Sequence, residues 1–189
     1  MSALINRFIQ QFQLQLPPPS SATKQQRKAA VLVPIICRAD PILLFTQRSS
    51  LLRKHAGQVS FPGGAADKTD GSLTVTALRE ANEEIGLNPD SVNIIGQLPP
   101  MDSISGFQVT PIVGLLPDGL QFRENKSEVA ALFEVPLSYL LNLDNHYSID
   151  ITRRGKSSRI YFIYYGDHFI WGLTASIVHR LAIQVKKML

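Results

Sequence analysis

Apolar residues at the start of the chain recur at helical spacing, with Leu4, Ile5, Phe8, Ile9 and Phe12 on one side of a helix within residues 1–16. Glutamines rather than cations fill the other side, which favours packing on the domain or a partner over lying on a membrane. Pro17-Pro18-Pro19-Ser20-Ser21 then reads as an extended linker. From there short apolar runs take over. Residues 29–37 and 42–47 are expected to be strands joined by a turn at Ala39-Asp40-Pro41. The unbroken apolar character of the first marks a strand covered on both faces. Residues 92–98, 108–116 and 129–135 repeat the strand pattern, separated by Pro99-Pro100, by Pro117-Asp118-Gly119 and by a charged loop over 124–128. A short helix is expected over 136–141. Residues 149–152 and 160–165 flank Arg153-Arg154-Gly155-Lys156 as a hairpin-like pair. A closing amphipathic helix over 173–185 carries Ile177, Leu181 and Val185. Tyr161, Phe162, Tyr164, Tyr165, Phe169 and Trp171 are expected to pack in the core, with one ring open to stacking on a base.

One segment between these strands has a different character. In residues 61–87 a glycine pair, Gly63-Gly64, is expected to form a tight turn. A polar loop follows, and Ser72 can cap a helix whose apolar stripe is Leu73, Ala77, Leu78 and Ala81. Gly86, followed by Pro89, stops that helix. Many strands with few helices indicate an α/β or α+β fold. The division expected is an arm of helix and linker over residues 1–28 and a domain over 29–189.

Composition narrows the choice of partner. The 189 residues are 44% hydrophobic and 18% charged, which suits one domain with a substantial core. The net charge of +4 comes without a long Lys/Arg run, which argues against nucleic acid and suits a small anionic ligand. Cys37 is the only cysteine, so no intrachain disulfide forms, and a reducing, cytoplasmic setting is expected. Its apolar strand makes it a small core residue. No run approaches the roughly 18 apolar residues of a membrane span, and no signal-peptide pattern opens the chain. Either a monomer or a homodimer is compatible with these features.

The candidate chemistry lies on the helix of the 61–87 segment. Glu80 and Glu84 are four residues apart, so they share one face at about 5–6 Å between Cβ atoms, with Glu83 beside them. Like charges at that spacing cost a few tenths of a kcal/mol. A hard divalent cation reverses that sign, because Mg²⁺ and Mn²⁺ favour carboxylate and carbonyl oxygens. Arg79 is placed to pair with an acid of the preceding loop, Asp70 above all. The competing reading is a solvated acidic surface.

The run Phe61-Pro62-Gly63-Gly64, Asp70, Arg79-Glu80-Ala81, Glu83-Glu84 and Gly86-Leu87 resembles the Nudix box, here over residues 64–87. Asp70 stands where that pattern has Glu, and one extra residue precedes Arg79. Upstream, Leu44-Phe45-Thr46-Gln47-Arg48-Ser49, Arg53, Gly57 and Phe61-Pro62-Gly63-Gly64 are similar to the signature of the coenzyme A pyrophosphatases of the Nudix family, with Phe45 in place of a second Leu.

The resemblance implies an α/β/α sandwich around a curved mixed sheet and hydrolysis of nucleoside diphosphate derivatives. Coenzyme A would give 3′,5′-ADP and 4′-phosphopantetheine. It implies Mg²⁺ or Mn²⁺ on Glu80, Glu84 and the Gly64 carbonyl, with Glu83 a possible further ligand. Arg79 would orient the acids. Substrate contacts would come from Arg48, Arg53, Gly57 and Gly63, since paired arginines can fork onto phosphate oxygens. Glu83 and Glu128 both remain candidates for the general base. The alternatives are a Nudix pyrophosphatase for ADP-ribose, NADH or an oxidised nucleotide, and a non-catalytic nucleotide-binding module.

Overall fold

The computed structural model describes residues 2–14, 27–50, 57–153 and 156–186. Its frame is a parallel pair of long strands, β1 (Arg27–Cys37) and β7 (Phe107–Pro117), in register from Arg27↔Phe107 to Cys37↔Pro117. Antiparallel neighbours extend this pair on both sides. β2 (Ile42–Arg48) lies against β1, with β8 (Val129–Pro136) and β3 (Val59–Ser60) against β2. β5 (Asn93–Gln97) and β6 (Met101–Asp102) pair with β7. The sheet is therefore mixed.

Alternation along the strands sends side chains to two separate cores. On one face Ala30, Leu32, Ile42, Leu44 and Ile112 pack against Ala77, Ala81 and Ile85 of α2 (Leu73–Ile85). On the other, Val33, Ile35, Leu43 and Phe45 meet α1 (Ala3–Leu14), α3 (Leu137–Leu141) and α4 (Gly172–Lys186). Ile5, Phe8 and Phe12 of α1 are buried in that second core. The result is the expected α/β/α sandwich. A second sheet of three strands, β9 (Tyr147–Arg153), β10 (Lys156–Tyr165) and β11 (His168–Trp171), packs beside α4.

Three details differ from the expectation. The Gly63-Gly64 pair is not a tight turn but part of a short strand, β4 (Gly63–Ala65), paired with β1 at Val31↔Gly63 and Ala30↔Gly64. Glycine is required there because a Cβ at Gly63, whose φ is +156°, would collide with Ala30 O and lie 2.6 Å from Val31 Cα. The Pro99-Pro100 break is followed at once by β6, since Met101 and Asp102 find β7 as a partner. The aromatic cluster divides. Tyr164, Phe169 and Trp171 are 40–52% exposed, because the pairing of β10 with β11 turns them to the outer face of the small sheet.

The helix that carries the acids is set by its own ends. Ser72 Oγ accepts the Val75 N–H at 3.2 Å, and Gly86 closes the helix in the left-handed region at φ +66°. Two alanines on the buried stripe let the helix axis come close to the sheet. That approach carries Glu84 into the interior.

Candidate functional site

Strand β4 and helix α2 meet at Glu80 and Glu84. Gly64 lies against Glu80 so closely that a Cβ would fall 2.5 Å from the Glu80 carboxyl carbon. Gly63 donates its N–H to Glu84 Oε2 at 3.3 Å. Glu84 is only 3% exposed, and Arg48 Nη1 stands 3.7 Å from its Oε1. Burial pushes the Glu84 pKa up to about 7, against the opposing pull of the Arg48 charge and the Gly63 N–H, with Glu128 and Glu80 adding repulsion. Burial also raises Glu80, partly offset by Arg79.

Arg79 organises the entrance. Its guanidinium forks onto Asp70, Nε to Oδ1 at 3.1 Å and Nη2 to Oδ2 at 3.1 Å, and Nη2 also donates to the Ala65 carbonyl. Nη1 reaches Glu80 at 3.0 Å and Glu83 at 3.2 Å. Asp70 further accepts Thr76 Oγ1 and the Asp67 N–H. Together these contacts, Arg79 first, hold the Asp70 carboxyl well below the usual carboxylate range. Thus the loop acid one residue out of the usual spacing still meets Arg79.

Glu128 arrives from the far side of the sequence. The loop before β8 is tied to the C-terminal end of α2, where Arg123 N–H donates to Ile85 O and Asn125 N–H to Glu84 O. Glu128 N–H bonds Asn125 O, and its own carbonyl accepts Ser49 N–H at 2.8 Å. The ladder between β2 and β8 slips at Gln47/Arg48, an irregularity beside the place where Arg48 turns toward Glu84. The Glu128 charge acts on both Glu80 and Glu84. Glu83, by contrast, keeps 54% of its side chain exposed and rests on Arg79.

Glu80, Glu84, Gly63, Gly64, Arg48, Arg79 and Glu128 are therefore brought together, and Glu83 lies at the rim. Arg53, with Lys54 and His55, lies outside the described residues. Gly57, at φ +71°, donates to Arg48 O at 3.1 Å and lines a cavity of about 380 Å³. Gln47, Gln58, Asp167, Phe169 and Trp171 share that lining, and no sequence signal pointed to Gln58 or Asp167.

Whether this pocket of charge suits a divalent cation follows from its donors. They are hard oxygens, the glycine strand presses backbone against Glu80, and Glu84 is buried without a close cationic partner among the described residues. Among the described residues no three His, Cys, Asp or Glu side chains already converge on one point. The fit is to two carboxylates completed by backbone oxygen.

The NUDIX domain family model matches residues 26–150. The chain belongs to the Nudix family. It is 56% identical over 181 residues to a protein of Pectobacterium atrosepticum described as an uncharacterised Nudix hydrolase NudL, covering 96% of this chain and 94% of that one. A NudL protein of Photorhabdus laumondii is 54% identical over 183 residues, covering 96% and 98%. Among solved structures, a Caenorhabditis elegans Ap4A hydrolase complex superposes with a TM-score of 0.50 at 19% identity, over 59% of this chain and 81% of that one. A MutT/nudix family protein of Enterococcus faecalis also gives 0.50, at 15% identity, over 96% and 67%. These structures show a shared Nudix fold. The present chain is a Nudix hydrolase, and no helix among its described residues is long and apolar enough to cross a membrane.

Proposed function

We propose that this Nudix hydrolase splits the diphosphate bridge of nucleoside diphosphate derivatives, with coenzyme A and its derivatives as substrate. Coenzyme A would yield 3′,5′-ADP and 4′-phosphopantetheine, and an acylated form the acyl-phosphopantetheine. The observation that carries the reading is Glu84, a buried acid beside Glu80 with no ion pair closer than 3.7 Å among the described residues. Folding gains nothing from such a group, whereas a cation-dependent reaction on phosphates uses it.

Glu80, Glu84 and the Gly64 carbonyl would hold Mg²⁺ or Mn²⁺. When bound, such a cation supplies Lewis-acid charge to the diphosphate oxygens. Arg79 positions Glu80 through its fork on Asp70. Arg48 offers a buried Nε that has no hydrogen-bond partner among the described residues, which suits a phosphate oxygen. Glu128, whose charge acts on both helix acids, takes the proton from the attacking water. Support for coenzyme A comes from the Leu44–Gly64 signature, and the cavity beside Gly57 gives room for the non-phosphate part of a substrate.

The test is a panel of coenzyme A, 3′-dephospho-coenzyme A, ADP-ribose and NADH, each with Mg²⁺ and with Mn²⁺. Coenzyme A is expected to have the highest kcat/KM and to lose at least about tenfold without its 3′-phosphate, one charged contact being worth over about 1.4 kcal/mol. A preference for ADP-ribose or NADH would reassign the substrate, and no turnover of any would leave a binding module.

A further inference from the structure

The small sheet has two unlike faces. Cross-strand pairs Tyr147↔Phe162, Phe162↔Trp171 and Tyr164↔Phe169 place one row of side chains together on the side away from α4. Ile149 and Ile151 continue that row along β9. On the opposite side Asp150 and Arg159 form a paired fork at 2.7 and 2.8 Å, and Ile163 and Ile170 are buried. Tyr147, Ile149, Ile151, Tyr164, Phe169 and Trp171 are all between 37% and 53% exposed. A face of this kind has a large hydration cost, and among the described residues nothing covers it.

We propose that this outer face is a self-association surface on which a second copy of the chain packs, face to face about a two-fold axis. Two observations select a second copy. From Tyr147 to Ile151 and from Ser158 to Tyr164 the face carries no charged residue, so this stretch of it can meet its own image without like-charge repulsion. Six half-exposed side chains of this size offer roughly 500–600 Å² per copy, so two copies bury about 1,000–1,200 Å², near the lower edge of stable interfaces. The surface lies apart from α2, since the small sheet packs on α4 and β3 whereas α2 packs on β1, β4 and β7. Association therefore leaves Glu80 and Glu84 open, while Phe169 and Trp171 border the cavity beside Gly57 as well as the outer face.

Sedimentation velocity on the full chain, from low to high micromolar concentration, tests it. The wild type is expected to reach dimer mass. Ile149→Asp and Tyr164→Asp are each expected to weaken association at least about 100-fold, as hot-spot losses do. Thr152→Asp, on the other face of the same strand, should leave association intact. A wild type that stays monomeric overturns the proposal. So does one that remains monomeric and instead floats with anionic phospholipid vesicles, which would make the face a membrane contact. Equal association of the two Asp variants and the wild type also overturns it. Should those variants unfold by circular dichroism, hydrogen exchange on the wild type decides: amides of Tyr147–Arg153 gain protection with concentration in a dimer, and concentration-independent exchange contradicts one.

Discussion

At Glu84 the local costs are largest. A rise from 4.5 to about 7 amounts to roughly 3 kcal/mol against the charged form in a side chain that is 3% exposed. The Gly63 N–H at 3.3 Å and Arg48 at 3.7 Å are too long to offset that. Glu80 meets a shorter contact with Arg79, and Glu83 remains in solvent. This difference separates the base candidates. Glu128→Gln is expected to lower the single-turnover rate by about 10²–10⁴, the usual worth of a positioned base. Glu83→Gln, which removes only a rim contact with Arg79, is expected to cost less than about tenfold. The reverse order would move the base to Glu83, and near-normal rates for both would exclude the pair.

Among the elements, β4 and α2 form one working unit. The glycine strand approaches the helix where a side chain would have to displace the Glu80 carboxylate. Gly64→Ala is therefore expected to keep the sheet register and lower metal-dependent kcat/KM by at least about 10–100-fold, the usual cost of disturbing the groups that set ligand geometry. Activity within a factor of two of wild type would show that the close approach is unimportant. Helix α2 was legible from end to end, because Ser72, the alanine stripe and Gly86 act through neighbours a few residues away. Strand β4 was not, since a glycine pair reads as a turn until β1 is known to lie beside it. Strand β11 was hidden for a related reason: aromatic rings suggest burial, and only the cross-strand pairing shows which face they take. The nearness of Glu128 to the helix acids depends on Asn125 bonding Glu84 O and on Ser49 bonding Glu128 O, contacts between segments far apart in sequence.

For the molecule as a whole, the junction of α3, β10 and α4 contains a second set of titrating groups. His146 Nε2 donates to Leu140 O at 2.8 Å, which leaves Nδ1 to accept from His179 Nδ1 at 3.1 Å. Tyr161 stacks on His179 with centroids 4.0 Å apart. Burial lowers both histidine pKa values from 6.5, and for His179 the charges of His146 and Arg159 act in the same direction. A base whose folded pKa is depressed contributes stability above its unfolded pKa and loses it as pH falls through that value. Stability from this pair should therefore decline below about pH 6.5. Glu84 acts with the opposite sign, because its raised pKa makes the metal-free fold less stable as pH climbs from 4.5 toward 7. The informative quantity is therefore the Tm of His179→Phe minus that of wild type, which keeps the stack on Tyr161 while removing the titration. It should rise steadily between neutral and mildly acidic pH, and a constant difference would contradict the account.

Both cores, the caps and the glycine strand converge on one consequence, that the sandwich keeps a buried acid where a hard cation can use it. The most direct measurement is equilibrium binding of Mn²⁺, followed by the electron paramagnetic resonance of the free ion, to wild type and to Glu84→Gln. The wild type should bind, and Glu84→Gln should lose at least about 100-fold in affinity, in line with about 3 kcal/mol for one charged ligand, while its Tm in metal-free buffer at neutral pH is no lower. Equal Mn²⁺ affinity in the two proteins, or none in the wild type, would contradict the assignment.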